Sequence, residues 1–357
     1  MGSILIIHII NSAHRSGAER SLLKLCTADI KVKQFVFFIN RKGELLRDFE
    51  KYEIYKNGSF LSRLVKLIIY VFANRHQLIL QGWLSYSMFL AHIISIIAST
   101  DIIYSLRNSD IPRNAFKERN LRRILKFLTF IKAPHAISVS HASINWYQNA
   151  GFRFKRKTVI WNPLELQCNY PMSSRDRNQL DEIRSDRSCH KVFFLGRNGK
   201  NKNVDFILNN LKLFDRLDSV SIFFVGRGFD SGLDKIEQIG TTIIKIFFRP
   251  AVDDVYSITS EIDLCIQPSA YGEGYPNIIA ELAVLNIPVL ATDVGDARYI
   301  LKDNYIINLH EIESVKGRIA WCLNKRRGSV VREDGIIAFE DFKIKYENFY
   351  SKVTYGC

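Results

Sequence analysis

The sequence predicts an α/β fold with two Rossmann-like, doubly wound domains. Short apolar runs rich in β-branched residues alternate with helical patterns along nearly the whole chain, which is typical of βαβ units around a parallel sheet. The length of 357 residues corresponds to about two domains at roughly 150 residues each. Between residues 166 and 190, prolines, serines and mixed charges replace this periodicity. We therefore expect domains at 1–165 and 191–336, joined by a linker at 166–190.

The first domain contains predicted strands that are each followed by a helical pattern. The pairs are Ile4–Ile10 with Glu19–Cys26, Phe35–Ile39 with Gly43–Tyr52, and Leu78–Gln81 with Ser85–Ala98. The segment 78–100 has 23 residues without a charge, which is long enough for a membrane span. Polar residues interrupt it and Gly82 divides it, so a buried strand followed by a buried helix is favoured over a transmembrane helix.

The second domain repeats the pattern, and a last helix follows it. Its strands are predicted at Lys191–Leu195, Ser221–Val225, Ile243–Phe247, Leu264–Gln267 and Pro288–Ala291. The last helix, at about 337–357, can pack on either domain.

Composition excludes several classes of protein. Apolar residues make up 47% and charged residues 24%, which is typical of a folded globular chain rather than a disordered one. The six cysteines form no C-x-x-C pair, so neither a zinc site nor a disulfide framework is predicted, and we expect reduced thiols in a cytoplasmic protein. A D-x-D motif, a Walker loop and a G-x-S-x-G elbow are all missing from the sequence. No metal cofactor is therefore expected.

Positive charge is concentrated in the first half. Residues 1–160 contain 25 Lys and Arg against 9 Asp and Glu, a balance of +16, whereas residues 161–357 contain 25 against 27, a balance of −2. This asymmetry points to nucleic acid or an anionic membrane surface as a partner of the first half, with a merely solubilising surface as the alternative.

One helical pattern, 121–132, suits a membrane surface. Its basic arc holds Arg122, Arg123 and Lys126, with Phe130 exposed among them. The apolar arc comprises Leu121, Ile124, Leu125, Phe127, Leu128 and Ile131. A core-facing helix with a solvated basic back explains the same pattern equally well.

The most informative segment is 271–281, which reads Tyr-Gly-Glu-Gly-Tyr-Pro-Asn-Ile-Ile-Ala-Glu. It follows a predicted strand, and Pro276 stands where a helix would begin, because its fixed φ suits a first turn. A loop that presents backbone amides at a helix N-terminus binds anions, phosphate in particular. Glu273 before the helix and Glu281 inside it are expected to face one crevice at the carboxyl edge of the sheet.

A second group of residues follows the strand at 191–195. Arg197 and Lys202 flank a glycine-bearing loop and are expected to reach a diphosphate together, Arg through its planar fork and Lys as a point charge. Weaker glycine turns are Gly226-Arg-Gly228 and, after the first strand, the loop that holds Gly17.

Taken in order, these motifs resemble those of the family 4 glycosyltransferases, which are retaining enzymes with the GT-B fold, two Rossmann-like domains facing each other across a cleft. Ser16-Gly17-Ala18-Glu19 is similar to the family's N-terminal glycine loop, and Gly196-Arg197 with Lys202 to its diphosphate-binding pair. Gly226-Arg-Gly228 resembles its glycine turn, and Glu273 to Glu281 its E-x7-E motif. Stretches such as Gln81-Gly-Trp83 are similar to members that build bacterial surface polysaccharides.

The resemblance implies a metal-independent transfer from a UDP- or GDP-linked sugar to a lipid-linked or polysaccharide acceptor, at the inner face of the cytoplasmic membrane and without nucleic acid. Glu273, Arg197 and Lys202 would be catalytic, and Arg107 a first-domain acceptor contact. The nucleotide sugar would be bound by Gly17, Gly196, Arg197, Lys202, Gly226, Glu273, Gly274, Tyr275, Pro276, Asn277 and Glu281.

Two other functions fit parts of the same pattern. A sugar-nucleotide epimerase can share this architecture but needs no acceptor. A basic protein that binds nucleic acid or a membrane without catalysis would explain the charge asymmetry alone.

Overall fold

The chain folds into two compact units. The computed structural model describes residues 4–108, 116–164, 172–230, 232–252, 255–324, 329–332 and 335–355. The first unit comprises Met1–Pro163 and Ile337–Cys357, and the second comprises Leu164–Ile336. Each unit is built on a mainly parallel sheet with helices beside it, so the predicted α/β class with two doubly wound domains is confirmed.

The sheet of the first unit has six strands, all parallel, in the order β2-β1-β3-β4-β5-β6. Its strands are β1 (Leu5–Ile10), β2 (Lys33–Phe38), β3 (Leu78–Trp83), β4 (Asp101–Leu106), β5 (His135–Ser138) and β6 (Lys157–Val159). The strands read as nearly continuous apolar runs because helices cover both faces of a parallel sheet.

The sheet of the second unit has seven strands in the order β13-β12-β11-β7-β8-β10-β9. They are β7 (His190–Leu195), β8 (Ser219–Val225), β9 (Lys235–Ile239), β10 (Thr242–Arg249), β11 (Leu264–Gln267), β12 (Val289–Thr292) and β13 (Ile306–Ile307). The pairs are parallel except β9 with β10, an antiparallel hairpin at one edge. The sequence analysis did not predict β9 or β13.

The helices follow the strands in alternation. Those of the first unit are α1 (Gly17–Thr27), α2 (Phe60–Asn74), α3 (Leu84–Ala98), α4 (Phe116–Ile131) and α5 (His141–Asn149). Those of the second are α6 (Ser174–Ser185), α7 (Val204–Asn209), α8 (Asn277–Val284), α9 (Ala297–Ile300) and α10 (Ile312–Asn324). The last helix, α11 (Phe339–Tyr355), returns to the first unit, where Phe342, Tyr346 and Tyr350 are fully buried.

Two predicted elements differ from the structure. The predicted helix at 43–52 consists of turns, and the helix of this crossover is α2, which begins where Ser59 Oγ accepts the Ser62 N–H. The predicted linker at 166–190 contains α6, whose Gln179 side chain donates to the Pro250 carbonyl, so this part of the linker prediction is wrong. Residues 166–171 of that segment lie outside the described residues.

The uncharged segment after residue 77 forms β3 and α3, as predicted. The strand continues through Gly82 to Trp83, and the chain turns at Leu84, whose φ is +68°. Gly82 serves packing, since a Cβ there would lie 2.5 Å from the Met88 Cα. Within the described residues, no helix combines the length and the apolar character needed to cross a membrane.

The first unit buries three histidines in neutral form. Burial lowers the pKa of His8, His92 and His135 to about 4 each. The His8 ring bonds to the Gln34 side chain at 3.0 Å and accepts from Trp83 Nε1 at 3.2 Å. These rings therefore contribute stability above their unfolded pKa of about 6.5, and this contribution is lost as the pH falls toward 4.

We predict that acidification from neutral pH to about pH 4.5 lowers the free energy of unfolding of the first unit. Each unit of histidine pKa shift that is titrated in this range contributes about 1.4 kcal/mol. Calorimetric melting across this range measures the slope. His8→Gln removes one of the titrating rings and should make the slope shallower, which separates the histidines from the carboxylates. A variant slope equal to that of the wild type would contradict the assignment to His8.

Candidate functional site

Four loops of the second unit meet at one edge of its sheet. They follow the adjacent parallel strands β12, β11, β7 and β8, whose carboxyl ends share that edge. In open α/β sheets ligands bind outside these ends, at the point where the strand order reverses. Here the reversal lies between β7 and β11, and the predicted residues 196–202 and 273–277 follow these two strands.

The centre of this edge is an ion pair between Lys202 and Glu273. Lys202 Nζ lies 2.7 Å from Glu273 Oε1, and both side chains are only about one-sixth exposed, 16% and 15%. Ser269 Oγ donates to the same carboxylate oxygen at 3.1 Å. The sequence analysis placed both residues in one site but did not predict that they pair.

Glycines allow the loops after β7 and β8 to touch. A Cβ on Gly226 would lie 1.8 Å from the Gly196 carbonyl oxygen, so a side chain cannot be accommodated there. Gly196 N donates to the Val225 carbonyl, and Asn198 N donates to the Arg227 carbonyl at 2.8 Å. The predicted glycine turn therefore packs against the loop that holds Arg197 and is hydrogen-bonded to it.

Arg197 and Lys202 occupy the same loop but differ in exposure. Arg197 is exposed, whereas the Lys202 side chain crosses over Gly196, with its Cε 3.9 Å from the position of a Cβ on that glycine. Ala270 N donates to the Asn201 carbonyl at 2.8 Å, which ties this loop to the one after β11. One cation thus stays beside Glu273 and another reaches solvent from the same turn.

The loop after β11 leads directly into α8. Pro276, with φ −80°, is the N-cap residue, and the helix begins at Asn277, one residue later than predicted. The first N–H groups of a helix have no acceptor within it, so this end favours an anion. The Gly274 carbonyl accepts the Asp296 N–H at 2.9 Å, which ties this loop to the loop after β12. Gly295 has no room for a Cβ, which would lie 2.3 Å from the Gly274 oxygen.

Tyr275 and Glu281 lie deeper in the same unit. Tyr275 is buried and donates from its hydroxyl to the Gly335 carbonyl at 3.2 Å. Burial, and then the charges of Asp296 and Glu281, raise the pKa of this tyrosine. Glu281 is half-buried in α8, on the helix whose N-terminus faces the loop. Its predicted role at a ribose stays a prediction.

Two predicted residues belong to the first unit. Gly17 is the first residue of α1, and no atom lies within 4 Å of a Cβ placed on it, so the space above it is open. Arg107 has a structural role: its guanidinium lies 4.2 Å from the centre of the Trp83 ring and donates to Ser21, Asn162 and Tyr346. Its predicted contact with an acceptor stays a prediction.

The predicted basic face of α4 needs a correction. Arg122 is only 6% exposed, because its guanidinium lies over the rings of Trp146 and Tyr147, so its predicted contact with a membrane is wrong. Arg123 is exposed and Lys126 is half-buried. The predicted apolar arc is also wrong in part, since Phe127 and Ile131 are exposed.

Several residues that shape the site were missed. Ser269, Gly295 and Asp296 fix the Glu273 loop through the contacts given above, and Thr292 Oγ1 donates to the Ser269 carbonyl at 2.6 Å. The only signal in the sequence was a glycine between two aspartates after β12. A single glycine after a strand is too common to identify a site.

Comparison with known proteins identifies the second unit. The family model described as Glycosyl transferases group 1 matches residues 189–325, which cover most of that unit. Over these residues the second unit is similar to a group 1 glycosyltransferase domain. No curated protein is similar enough to the sequence to count as a match.

Solved glycosyltransferase structures share the fold of the whole chain. Alr3699/HepE of Anabaena, in complex with UDP and glucose, is 17% identical, with a TM-score of 0.72 over 97% of this chain and 99% of that one. A glycosyltransferase of Rickettsia africae is 13% identical, with a TM-score of 0.70 over 99% of each chain. The lipopolysaccharide outer core galactosyltransferase WaaB is 13% identical, with a TM-score of 0.62 over 99% of this chain and 97% of that one. The predicted GT-B fold is confirmed.

We predict that Gly226→Ala destabilises the second unit by roughly 2 kcal/mol or more, because the new methyl group collides with the Gly196 carbonyl. Urea denaturation measures the loss. The matched control is Gly317→Ala in α10, where no neighbour lies within 4 Å and helix propensity favours alanine by up to about 1 kcal/mol. Equal stability of the two variants would contradict this packing role.

Proposed function

We propose that the chain is a retaining, metal-independent glycosyltransferase that uses a nucleotide-diphosphate sugar. The observation that carries this proposal is the Lys202–Glu273 pair, which lies beside the Arg197 loop at the carboxyl edge of a unit similar to a group 1 glycosyltransferase domain. This arrangement combines cations for a diphosphate with a carboxylate for sugar hydroxyls.

The cations and amides can neutralise a leaving diphosphate. Arg197 offers a planar fork that matches two phosphate oxygens, and Lys202 adds a point charge from the same loop. The amides at the start of α8 add partial positive charge. Fixed donors of this kind stabilise the charge that develops as the bond to the sugar breaks. We therefore propose that no divalent ion is required.

Lys202 also makes it possible for Glu273 to lie near a diphosphate. Two negative groups repel strongly at short distance in a water-poor site. An ammonium between them removes that repulsion, and Lys202 is already 2.7 Å from the Glu273 carboxylate. The carboxylate, oriented by Ser269, then accepts hydrogen bonds from hydroxyls of the donor sugar.

The nucleotide is proposed to be UDP. The Anabaena protein was solved with UDP and glucose, and it shares the fold across the whole chain. Glu281 would accept from the ribose hydroxyls, since it lies in the helix that begins at the phosphate end. We place the acceptor, a lipid-linked or polysaccharide hydroxyl, on the basic first unit.

In the proposed reaction, the acceptor hydroxyl attacks the anomeric carbon on the face from which the diphosphate departs. A bond forms between the acceptor oxygen and that carbon, and the bond from the carbon to the phosphate oxygen breaks. The electron pair leaves with the diphosphate, which accepts the hydroxyl proton. The anomeric configuration is therefore retained.

We also propose that the first unit docks on an anionic membrane surface at the cytoplasmic face. The exposed side of α4 carries Phe127 and Ile131, which are 65% and 58% exposed, next to Arg123. The Arg153 guanidinium lies 4.1 Å from the centre of the Phe130 ring, so a further cation accompanies a further exposed aromatic side chain. Apolar groups flanked by cations bind the boundary between acyl chains and anionic headgroups.

A second helix extends this apolar surface. Leu61, Val65 and Ile69 are exposed and recur every fourth residue along α2, so they form one stripe, with Lys66 exposed beside it. α3 contacts both α2 and α4, which places the three helices on one side of the first sheet.

Variants of the donor site test the enzymatic proposal. Arg197→Ala, Lys202→Ala and Glu273→Ala should each lower sugar transfer by roughly a hundredfold, because each removes a group that stabilises the donor in the transition state. UDP release from UDP-glucose, with a lipid extract as acceptor and EDTA present, measures the rate. Lys200→Ala, an exposed lysine of the same loop, is the matched control.

Wild-type rates in all three variants would overturn the donor-site assignment. Isomerisation of the donor sugar without an acceptor would identify an epimerase instead. Activity that disappears in EDTA and returns with a divalent cation would overturn metal independence.

Vesicle sedimentation tests the membrane proposal. Replacing both Phe127 and Ile131 by serine should weaken binding to vesicles containing phosphatidylglycerol by about tenfold, or about 1.4 kcal/mol. The matched control replaces Leu233 and Ile236, two exposed apolar residues of the second unit. Equal loss in both double variants, or equal binding to vesicles of phosphatidylcholine alone, would contradict docking through this face.

A further inference from the structure

The second unit contains a large cavity beside the Lys202–Glu273 pair. Its volume is about 760 Å³, which is within the range of small-molecule sites. It opens at the carboxyl ends of β11, β12 and β13, between the first residues of α7 and α10. None of the functions proposed above uses this space.

The charged groups around the cavity balance one another. Asp293 and Arg298 form an ion pair, with Arg298 Nε 2.9 Å from the carboxylate. Arg318 and Glu311 add one further charge of each sign, and Arg318 Nη1 donates to the Asp303 carbonyl at 3.1 Å. An anion would meet two carboxylates here, and a cation would meet two guanidinium groups. The lining therefore favours a neutral ligand.

The lining also combines polar and apolar surfaces. His310 and Ser314 add groups that can both donate and accept at the open side. Further polar residues of the lining are Asn203, Ser269, Thr292 and Asn308, and its apolar part consists of Phe206, Ala270, Val294, Ile306, Ile307 and Leu309. A sugar ring matches this lining, since each hydroxyl both donates and accepts while its C–H faces are apolar. A hydrocarbon ligand would leave the polar groups unpaired.

We propose that this cavity binds a neutral sugar unit of the acceptor glycan. Two contacts join it to the donor site: Ser269 lines the cavity and donates to Glu273, and Asn203 lines it next to Lys202. A glycan unit held here lies beside the carboxylate that is proposed to hold the donor sugar. This inference rests on the proposed function, and it assigns part of acceptor recognition to the second unit.

Saturation-transfer NMR with simple glycosides tests the proposal. The probes are methyl α-glucoside, methyl α-galactoside and the methyl glycoside of N-acetylglucosamine, each with and without saturating UDP. At least one should give a signal that persists in UDP. Ser314→Phe, which places a ring at the cavity wall, should lower that signal at least fivefold relative to wild type.

Two further variants control the interpretation. Glu313→Phe puts the same ring on α10 at a position that does not line the cavity and is 77% exposed, so it should keep the signal. Arg318→Met keeps the aliphatic stem and removes the guanidinium, and it should also lower the signal. Arg318→Met provides the test of the cavity if Ser314→Phe does not fold.

The proposal is overturned if no glycoside gives a signal, if UDP abolishes it, or if it survives in both cavity variants. The proposal is also contradicted if glucose 1-phosphate displaces the glycoside and binds much more tightly than it, because the site would then prefer an anion. UDP titration of the wild type distinguishes the two proposals. If the wild type does not bind UDP, the donor site is overturned. If it binds UDP but no glycoside, only this inference is overturned.

Discussion

The ion pair between Lys202 and Glu273 is the interaction on which the proposed site depends. Each side chain is mostly buried, and a buried charge without a partner is strongly unfavourable. Because the two residues come from loops after neighbouring strands, the pair also fixes the distance between those loops. In the proposed function, Lys202 is what allows a diphosphate to bind beside the Glu273 carboxylate.

Glycines allow the chain segments around Lys202 and Glu273 to pack closely. Gly226 and Gly295 each support one of the two loops from behind, and neither position has room for a methyl group. The main chain therefore holds Arg197, Lys202 and Glu273 at one edge of the sheet. Preorganisation of this kind avoids the cost of ordering the groups when the transition state forms.

The first unit is organised by a different buried cation. The Arg107 guanidinium joins α1, β3 and α11 through hydrogen bonds and its stacking on Trp83. Burial lowers the pKa of this arginine, and oxygen atoms of Ser21, Asn162 and Tyr346 accept hydrogen bonds from its guanidinium. Helix α11 is therefore part of the core of the first unit: Tyr346 accepts from Arg107, and the Tyr350 hydroxyl donates to the Gln81 side chain.

Much of the fold and of the candidate site could be predicted from the sequence. Periodicity located three of the six strands of the first sheet and five of the seven strands of the second, and the glycine loops with Arg197, Lys202 and Glu273 were found because each follows a strand. Helix α2 was missed, and the polarity of its residues does not match their burial, since Arg63 is buried whereas Leu61 and Ile69 are exposed.

The other errors arise from contacts between distant parts of the chain. Arg122 reads as a surface residue, but Trp146 and Tyr147 bury it from another helix. The cavity beside Glu273 is formed by segments more than a hundred residues apart, from Asn203 to Arg318. Neither local propensity nor spacing along the chain carries such information.

The most direct test of the central claim is calorimetric titration of the wild-type protein with uridine, UMP and UDP in the presence of EDTA. If side chains and amides of the second unit hold the diphosphate, UDP binds at least about tenfold tighter than UMP, equivalent to about 1.4 kcal/mol, and uridine binds most weakly. Equal affinities for UDP and UMP, or UDP binding only after a divalent cation is added, would contradict the account.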